Sequence, residues 1–185
     1  LVTGLGEEAG DALARHEDVD MINFTGGTDT GRLIMQAAAT NLKKVSLELG
    51  GKSPNIVFAD ADFERAVKNA LNAAAFWNAG QVCTAGSRLL VEESVHDQLV
   101  ERLKTMIPAM KVGPTTEKVA VGPVISQEQL DRVLSYVELG KQEAQLVAGG
   151  RGRLTEGNLA NGYFVDPTVF DRVAPDSRLA QEEIF

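Results

Sequence analysis

Short apolar stretches and helical repeats of apolar positions alternate along this chain. Met21-Ile22-Asn23-Phe24 is a brief apolar run closed by Gly26-Gly27, after which Leu33, Ile34 and Ala37 recur at helical spacing. The pattern predicts a strand near Met21 and a helix over Asp29 to Ala39. Strands are expected near Lys43 to Leu47 and Asn55 to Phe58. Asp60 is then the expected N-cap of a helix running to about Trp77, rich in Ala66, Ala70, Ala73 and Ala74. A strand at Arg88 to Val91 and a helix at Ser94 to Ile107 follow, then a loop with Pro108, Gly113 and Pro114. Ser126 and Gln129 make a capping box for a helix through Val133, Val137 and Lys141. Last come strands near Gln145 to Val147 and Thr168 to Phe170. Such alternation predicts an α/β fold with mainly parallel twisted sheets and flanking helices.

Composition narrows the function classes. Hydrophobic residues make up 44% and charged residues 24%, with a net charge of -8. An acidic chain with dispersed signs disfavours nucleic acid and anionic membranes as partners, since both select basic patches. No apolar run approaches bilayer length. One cysteine argues against a disulfide framework, and neither repeats nor low-complexity segments interrupt the chain. His16 and His96 lie in charged helical segments, where solvent exposure is expected and no metal site is predicted. Phe76 and Trp77 read as core.

Three runs carry candidate chemistry. Cys83, the single cysteine, lies in Gly80-Gln81-Val82-Cys83-Thr84-Ala85-Gly86-Ser87-Arg88. A free cysteine reads either as a small buried apolar residue or as a nucleophile. Its glycine-bracketed, polar surroundings describe a loop that lets backbone approach a ligand. Glu48 sits between Leu47 and Leu49, directly before Gly50-Gly51. It reads either as an outward-facing strand residue or as a carboxylate in an apolar setting at a strand end, suited to general-base work. Phe24 to Gly31 is a glycine turn between a strand and a helix. It reads as an ordinary connection or as one that aims free amides and the helix dipole at a phosphate.

Taken in order, these runs resemble the aldehyde dehydrogenase superfamily. Phe24 to Gly31 is similar to the phosphate turn F-T-G-S-T-x-x-G, with Gly27 in the serine position, and Leu47 to Pro54 reads L-E-L-G-G-K-S-P intact. Gly80 to Arg88 matches the nucleophile motif G-Q-x-C-x-x-x-S/T-R. Gly122-Pro123-Val124-Ile125-Ser126 resembles G-P-x-I-S, and Gly162 to Val169 resembles G-Y-F-x-x-P-T-V. The chain closes on Glu182-Glu183-Ile184-Phe185, where the family continues E-E-I-F-G-P.

The resemblance, which covers essentially the whole chain, implies an internal segment of a longer enzyme. Residues 1–49 would be the C-terminal part of a Rossmann-like dinucleotide-binding domain, and residues 50–185 a catalytic domain truncated at its end. It implies oxidation of a small-molecule aldehyde to the carboxylic acid with NAD or NADP. Cys83 would form a thiohemiacetal and then a thioester, which water activated by Glu48 hydrolyses. Gly26, Gly27, Thr28 and Gly31 would serve the pyrophosphate, with Gly27 lacking the usual serine hydroxyl. The Leu49 carbonyl would accept from the nicotinamide carboxamide, and Glu183, with Phe185 beside it, would hold the nicotinamide ribose. The Cys83 amide would be one oxyanion donor. Lys52 would be structural, and Arg88 would anchor the nucleophile loop by pairing with a carboxylate. The resemblance further implies a cytoplasmic homodimer or homotetramer, with a targeting segment left open, and a segment inactive by itself. A coenzyme-A-acylating relative and a non-catalytic protein of the same fold are the alternatives. Glu48 argues against the first, and its pairing with Cys83 against the second.

Overall fold

The computed structural model describes residues 1–72 and 76–185, which form two compact units, Leu1–Gly50 and Gly51–Phe185. In the first unit a helical turn at Gly6–Gly10 leads into α1 (Asp11–Arg15). Strand β1 (Met21–Thr25) pairs in parallel with β2 (Lys44–Glu48), Met21 opposite Lys44 and Thr25 opposite Glu48. Parallel partners need a crossover, and α2 (Thr28–Ala38) supplies it. Ile22 and Phe24 turn inward on β1 while their neighbours face out, as the strand period requires.

Helix α2 starts at Gly27, which is extended (φ -69°, ψ 148°) and offers no side-chain cap. Gly31 is buried in its first turn. A Cβ there would stand 2.7 Å from Leu49 Cδ2, so the helix and the chain after β2 pack at a distance only glycine permits. Lys43 begins no strand. Leu42 is left-handed (φ 58°), and this reversal turns Lys43 back towards α1. Its buried ammonium donates to the carbonyls of Ala14 and His16, both at 2.7 Å. A cation there satisfies carbonyls that the end of α1 leaves free.

In the second unit β3 (Pro54–Val57) runs parallel to β4 (Arg88–Val91), Pro54 opposite Arg88 and Val57 opposite Val91. Helix α3 (Phe63–Asn72) lies between them in sequence. It is capped by Asp62 rather than Asp60: Asp62 Oδ1 accepts the Arg65 N–H at 3.1 Å. Asp60 is taken up in a tight turn closed by the Ala61 N–H on the Phe58 carbonyl. The predicted continuation through Ala73 and Ala74 lies outside the described residues. Trp77 opens a short 3-10 turn (Trp77–Gly80) that left-handed backbone angles at Asn78 and Ala79 interrupt, and it is 66% exposed. Phe76, by contrast, packs against the core.

That core gathers Val57 of β3, Val67 and Leu71 of α3, Leu99 and Leu103 of α4 (Glu93–Met106), and Ile107. Helix α5 (Gln127–Glu143) leads to β5 (Gln145–Ala148), which pairs with β6 (Val169–Asp171). That pair is antiparallel, unlike the other two sheets among the described residues. The reason is the connection. The chain from Gly149 to Thr168 doubles back on itself, with Leu154 N–H on the Phe164 carbonyl and Asp166 N–H on the Gly152 carbonyl, both at 2.8 Å. A returning arm of this kind delivers β6 in the opposite direction without a crossover. The short α6 (Arg178–Gln181) precedes the tail.

His96 overturns the expectation of solvent exposure, its side chain being only 13% exposed. It shares a helix face with Leu99 and Leu103, at i, i+3 and i+7, and so faces the interior. Nε2 lies 3.0 Å from Asp171 Oδ1 and Nδ1 lies 2.8 Å from Asp97 Oδ1. Those bonds, Asp171 first, push its pKa up. The charged neighbours obscured a helical period that was present in the sequence.

Candidate functional site

The L-E-L-G-G-K-S-P run crosses from one unit to the other, and in each unit it meets another of the singled-out motifs. In the first unit, the Gly26 N–H donates to the Glu48 carbonyl at 3.0 Å, extending the β1–β2 ladder by one rung. Gly31 meets the Leu49 side chain. The glycine turn and the glutamate segment are therefore packed together at the ends of two parallel strands, where α/β folds place ligands. Glu48 is the last residue of β2, exposed, and its carboxylate makes no hydrogen bond among the described residues. Gly27, Thr28 and Asp29 are exposed, and nothing lies within 4 Å of where a Gly27 Cβ would be. The start of α2 is thus open and uncapped, with backbone donors facing outward.

In the second unit, Gly51 is the meeting point. A Cβ on it would stand 2.6 Å from the Cys83 carbonyl oxygen, so the Cys83 loop lies directly against this backbone. The Gly51 N–H donates at 3.0 Å to Glu183 Oε1, across 132 residues of sequence. Cys83 is an exposed free thiol, which removes its reading as a small buried apolar residue. Left-handed angles at Asn78, Ala79 and Gly80 lead into the loop, and Gly86 leaves it where a Cβ would stand 3.1 Å from Asn55 Cβ. A cavity of about 620 Å³ lies beside these elements, lined among others by Gly51, Lys52, Gly80, Glu183 and Phe185.

Arg88 anchors the loop as expected but not through a carboxylate. Its Nε donates to the Lys52 carbonyl at 2.8 Å, because the β3–β4 pairing places the start of both strands side by side. Lys52 is half-buried; burial, then the Arg88 charge, pushes its pKa down. The capping box is only half formed. Ser126 Oγ accepts the Gln129 N–H at 3.1 Å, but the Gln129 amide donates to the Ile184 carbonyl instead of returning to the cap.

Sequence reasoning missed what Gln129 is doing there. One face of α5 clamps the tail: Arg132 donates to the carbonyls of Glu183 and Ile184 and lies 5.5 Å from the centre of the Tyr136 ring. Tyr136 donates its hydroxyl to Glu182. Arg178 forks onto both Glu182 oxygens at 3.0 and 2.9 Å. Glu182 and Glu183 are therefore not a solvated acidic pair. Gln129, Arg132 and Tyr136 fall at helical spacing (i, i+3, i+7), which marked them as one face but not its partner.

The Arg178 hydrogen bonds, then that of Tyr136, hold the Glu182 carboxyl down to about 2. A depressed carboxyl contributes stability that is complete above its unfolded pKa and is lost as pH falls towards the folded value. The Tm difference between the wild-type protein and Glu182→Gln is therefore expected to be constant at neutral pH. It should shrink from the ordinary glutamate range down to about pH 2. The pair is surface-exposed, so added salt is expected to reduce the difference. A difference independent of pH would show that the carboxylate contributes nothing through its charge.

Comparison with known proteins places this arrangement in a family of oxidoreductases. The aldehyde dehydrogenase family model matches residues 1–185, and the chain belongs to that family. It is 51% identical, over its whole length, to a betaine aldehyde dehydrogenase of Bacillus subtilis (strain 168), and 47% identical to retinal dehydrogenase 2 of Mus musculus. It covers 38% and 35% of those relatives. The crystal structure of a betaine aldehyde dehydrogenase from Staphylococcus aureus in complex with NAD+ superposes with a TM-score of 0.93 at 43% identity, covering 99% of this chain and 36% of that one. The mixed α/β architecture is that of aldehyde dehydrogenases. Among the described residues no helix is long and apolar enough to cross a membrane, and no three potential ligands cluster for a metal ion.

Proposed function

We propose that the protein carrying this chain oxidises a small aldehyde to its carboxylic acid with NAD or NADP. Residues 1–49 would belong to its cofactor domain and residues 50–185 to its catalytic domain. The observation that carries the reading is the exposed thiol of Cys83 on a loop packed against Gly51, with Glu183 bound to the same residue. The known relatives named above, betaine aldehyde and retinal dehydrogenases, point to the same chemistry.

The Cys83 thiolate adds to the carbonyl carbon, forming a C–S bond and placing negative charge on the former carbonyl oxygen. The Cys83 N–H, which donates to no acceptor among the described residues, is a donor for that oxyanion. As the C=O bond re-forms, the C–H bond breaks with its electron pair and a thioester remains on Cys83. A nicotinamide ring, when bound, supplies the acceptor for that hydride. Glu48 takes a proton from water, the resulting nucleophile attacks the thioester, and the Cys83 thiolate leaves as the acid is released.

The residues of the first unit fit a dinucleotide. Backbone donors at the open start of α2, from Gly27 through Thr28, suit a pyrophosphate, with Gly26 shaping the turn and Gly31 admitting close packing. The Leu49 carbonyl suits a carboxamide donor. In the second unit Glu183 engages Gly51 through Oε1, so Oε2 remains for a ribose hydroxyl, with Phe185 two residues on. The same reading implies a homodimer or homotetramer in the cytoplasm.

Mass spectrometry of the intact protein, quenched in acid during turnover, tests the reading. An acyl mass on the peptide containing Cys83 is expected only when both aldehyde and oxidised cofactor are present. An unmodified peptide both in the wild type and in Glu48→Gln, where thioester hydrolysis is slowed, would exclude the covalent route with Glu48 as its base.

A further inference from the structure

We propose that Gln81 is the positioning residue of the nucleophile loop: its side-chain amide ties the loop to the Val124–Ile125 segment and so sets where the Cys83 thiol stands. This rests on the reading of Cys83 as the nucleophile. The two ends of the loop are held by different means. After Cys83 the backbone is fixed by close packing and a tight turn: the Cys83 carbonyl against Gly51, Gly86 against the Asn55 Cβ, and the Ala85 N–H on the Val82 carbonyl at 2.9 Å. Before Cys83 the backbone passes through three successive left-handed residues, at φ 51°, 56° and 76°. Such a path persists only where the surroundings over-determine it.

Gln81 is what over-determines it. Its Oε1 accepts the Ile125 N–H at 2.8 Å, and its Nε2 donates to the Asn78 carbonyl at 3.1 Å. Asn78 answers by donating Nδ2 to the Gln81 carbonyl at 3.0 Å, and the Gln81 N–H also reaches the Asn78 carbonyl. The far end, Ile125, is itself exposed but is held through its neighbour. Val124 is 4% exposed, and its N–H donates to the Tyr163 carbonyl at 2.9 Å. One neutral side chain, bonded at both its oxygen and its nitrogen, therefore links the turn two residues before the thiol to a fixed part of the unit. An amide is suited to this because it donates and accepts at once, and a loop without such a tie keeps its fold but loses its aim.

The test uses the intact protein and pre-steady-state kinetics. Gln81→Met, of similar length but without hydrogen bonds, is expected to slow the burst of reduced cofactor by about tenfold to a hundredfold, the cost of misplacing a reacting atom by roughly 1 Å. The KM for aldehyde and the Tm should change little, and hydrogen exchange at the Ile125 amide should accelerate. Gln81→Glu keeps an acceptor for Ile125 and is expected to recover part of the burst rate. Should Gln81→Met fail to fold, Asn78→Asp removes one bond of the same knot while retaining tolerance for the left-handed angle, and should slow the burst as well. A burst at the wild-type rate in Gln81→Met, or a loss that merely follows a fall in Tm, overturns the proposal. Turnover that survives in Cys83→Ala would sink the nucleophile reading, and this proposal with it. An inactive Cys83→Ala beside an unimpaired Gln81→Met would sink the positioning role alone.

Discussion

Replacing Cys83 by alanine in the intact protein is expected to abolish aldehyde-dependent reduction of cofactor, with kcat falling by at least about 10⁴-fold, the scale on which covalent enzymes respond to loss of their nucleophile. Cofactor affinity should be nearly intact, because the proposed contacts at the open start of α2 and at Glu183 do not use the Cys83 side chain. The fold should survive too. Cys83 is exposed, so truncating it leaves no cavity, and its contact with Gly51 is made by the backbone carbonyl. Titration calorimetry for cofactor and absorbance for turnover separate the outcomes. Appreciable residual turnover would remove the covalent mechanism, and lost cofactor binding would show that the substitution damages more than the chemistry.

Glu48→Gln is expected to lower steady-state turnover by about 10²- to 10⁴-fold, the usual contribution of a general base, while sparing the first turnover. The reason lies in the order of steps. Thioester formation draws on Cys83, whereas hydrolysis needs a water stripped of its proton. Glutamine has the same shape but cannot take that proton. A burst of reduced cofactor equal to the enzyme concentration, followed by near-arrest, is the signature. Added small thiols should restart turnover, since they attack the thioester without a base. An unchanged burst and an unchanged steady state would make Glu48 an outward-facing strand residue, which its exposure at the end of β2 also permits. The coenzyme-A-acylating alternative would then gain.

Much of the secondary structure was legible because local patterns and tertiary packing agree. β4 lies at Arg88–Val91 as predicted, and α2 and α4 fall within a residue or so of their expected bounds. Where the two differ, a contact distant in sequence decided the outcome. The turn after Phe58 moved the cap of α3 from Asp60 to Asp62. Gln129 gave up half of its capping box to the Ile184 carbonyl, 55 residues away. Arg88 found a carbonyl where a carboxylate was expected, because the register of β3 and β4 put Lys52 within reach. His96 and Trp77 exchanged places, one drawn inward by Asp171 and the other turned out by a left-handed backbone.

The candidate residues for the proposed chemistry were marked by the sequence itself. A lone cysteine between glycines, a glutamate before a glycine pair, and a glycine turn ahead of a helix are statements about residue type and spacing, and none of the three depends on what folds against what. Tertiary structure alone decided who holds these groups in place. Gly51 is a glycine because the Cys83 carbonyl lies against it, and its N–H is where Glu183 docks. The tail is gripped by one face of α5, and the Cys83 loop is tied by Gln81 to Ile125. Each of these contacts joins groups tens of residues apart through backbone amides and carbonyls. Every residue but proline carries both groups, so a sequence pattern has nothing with which to mark the ones that meet.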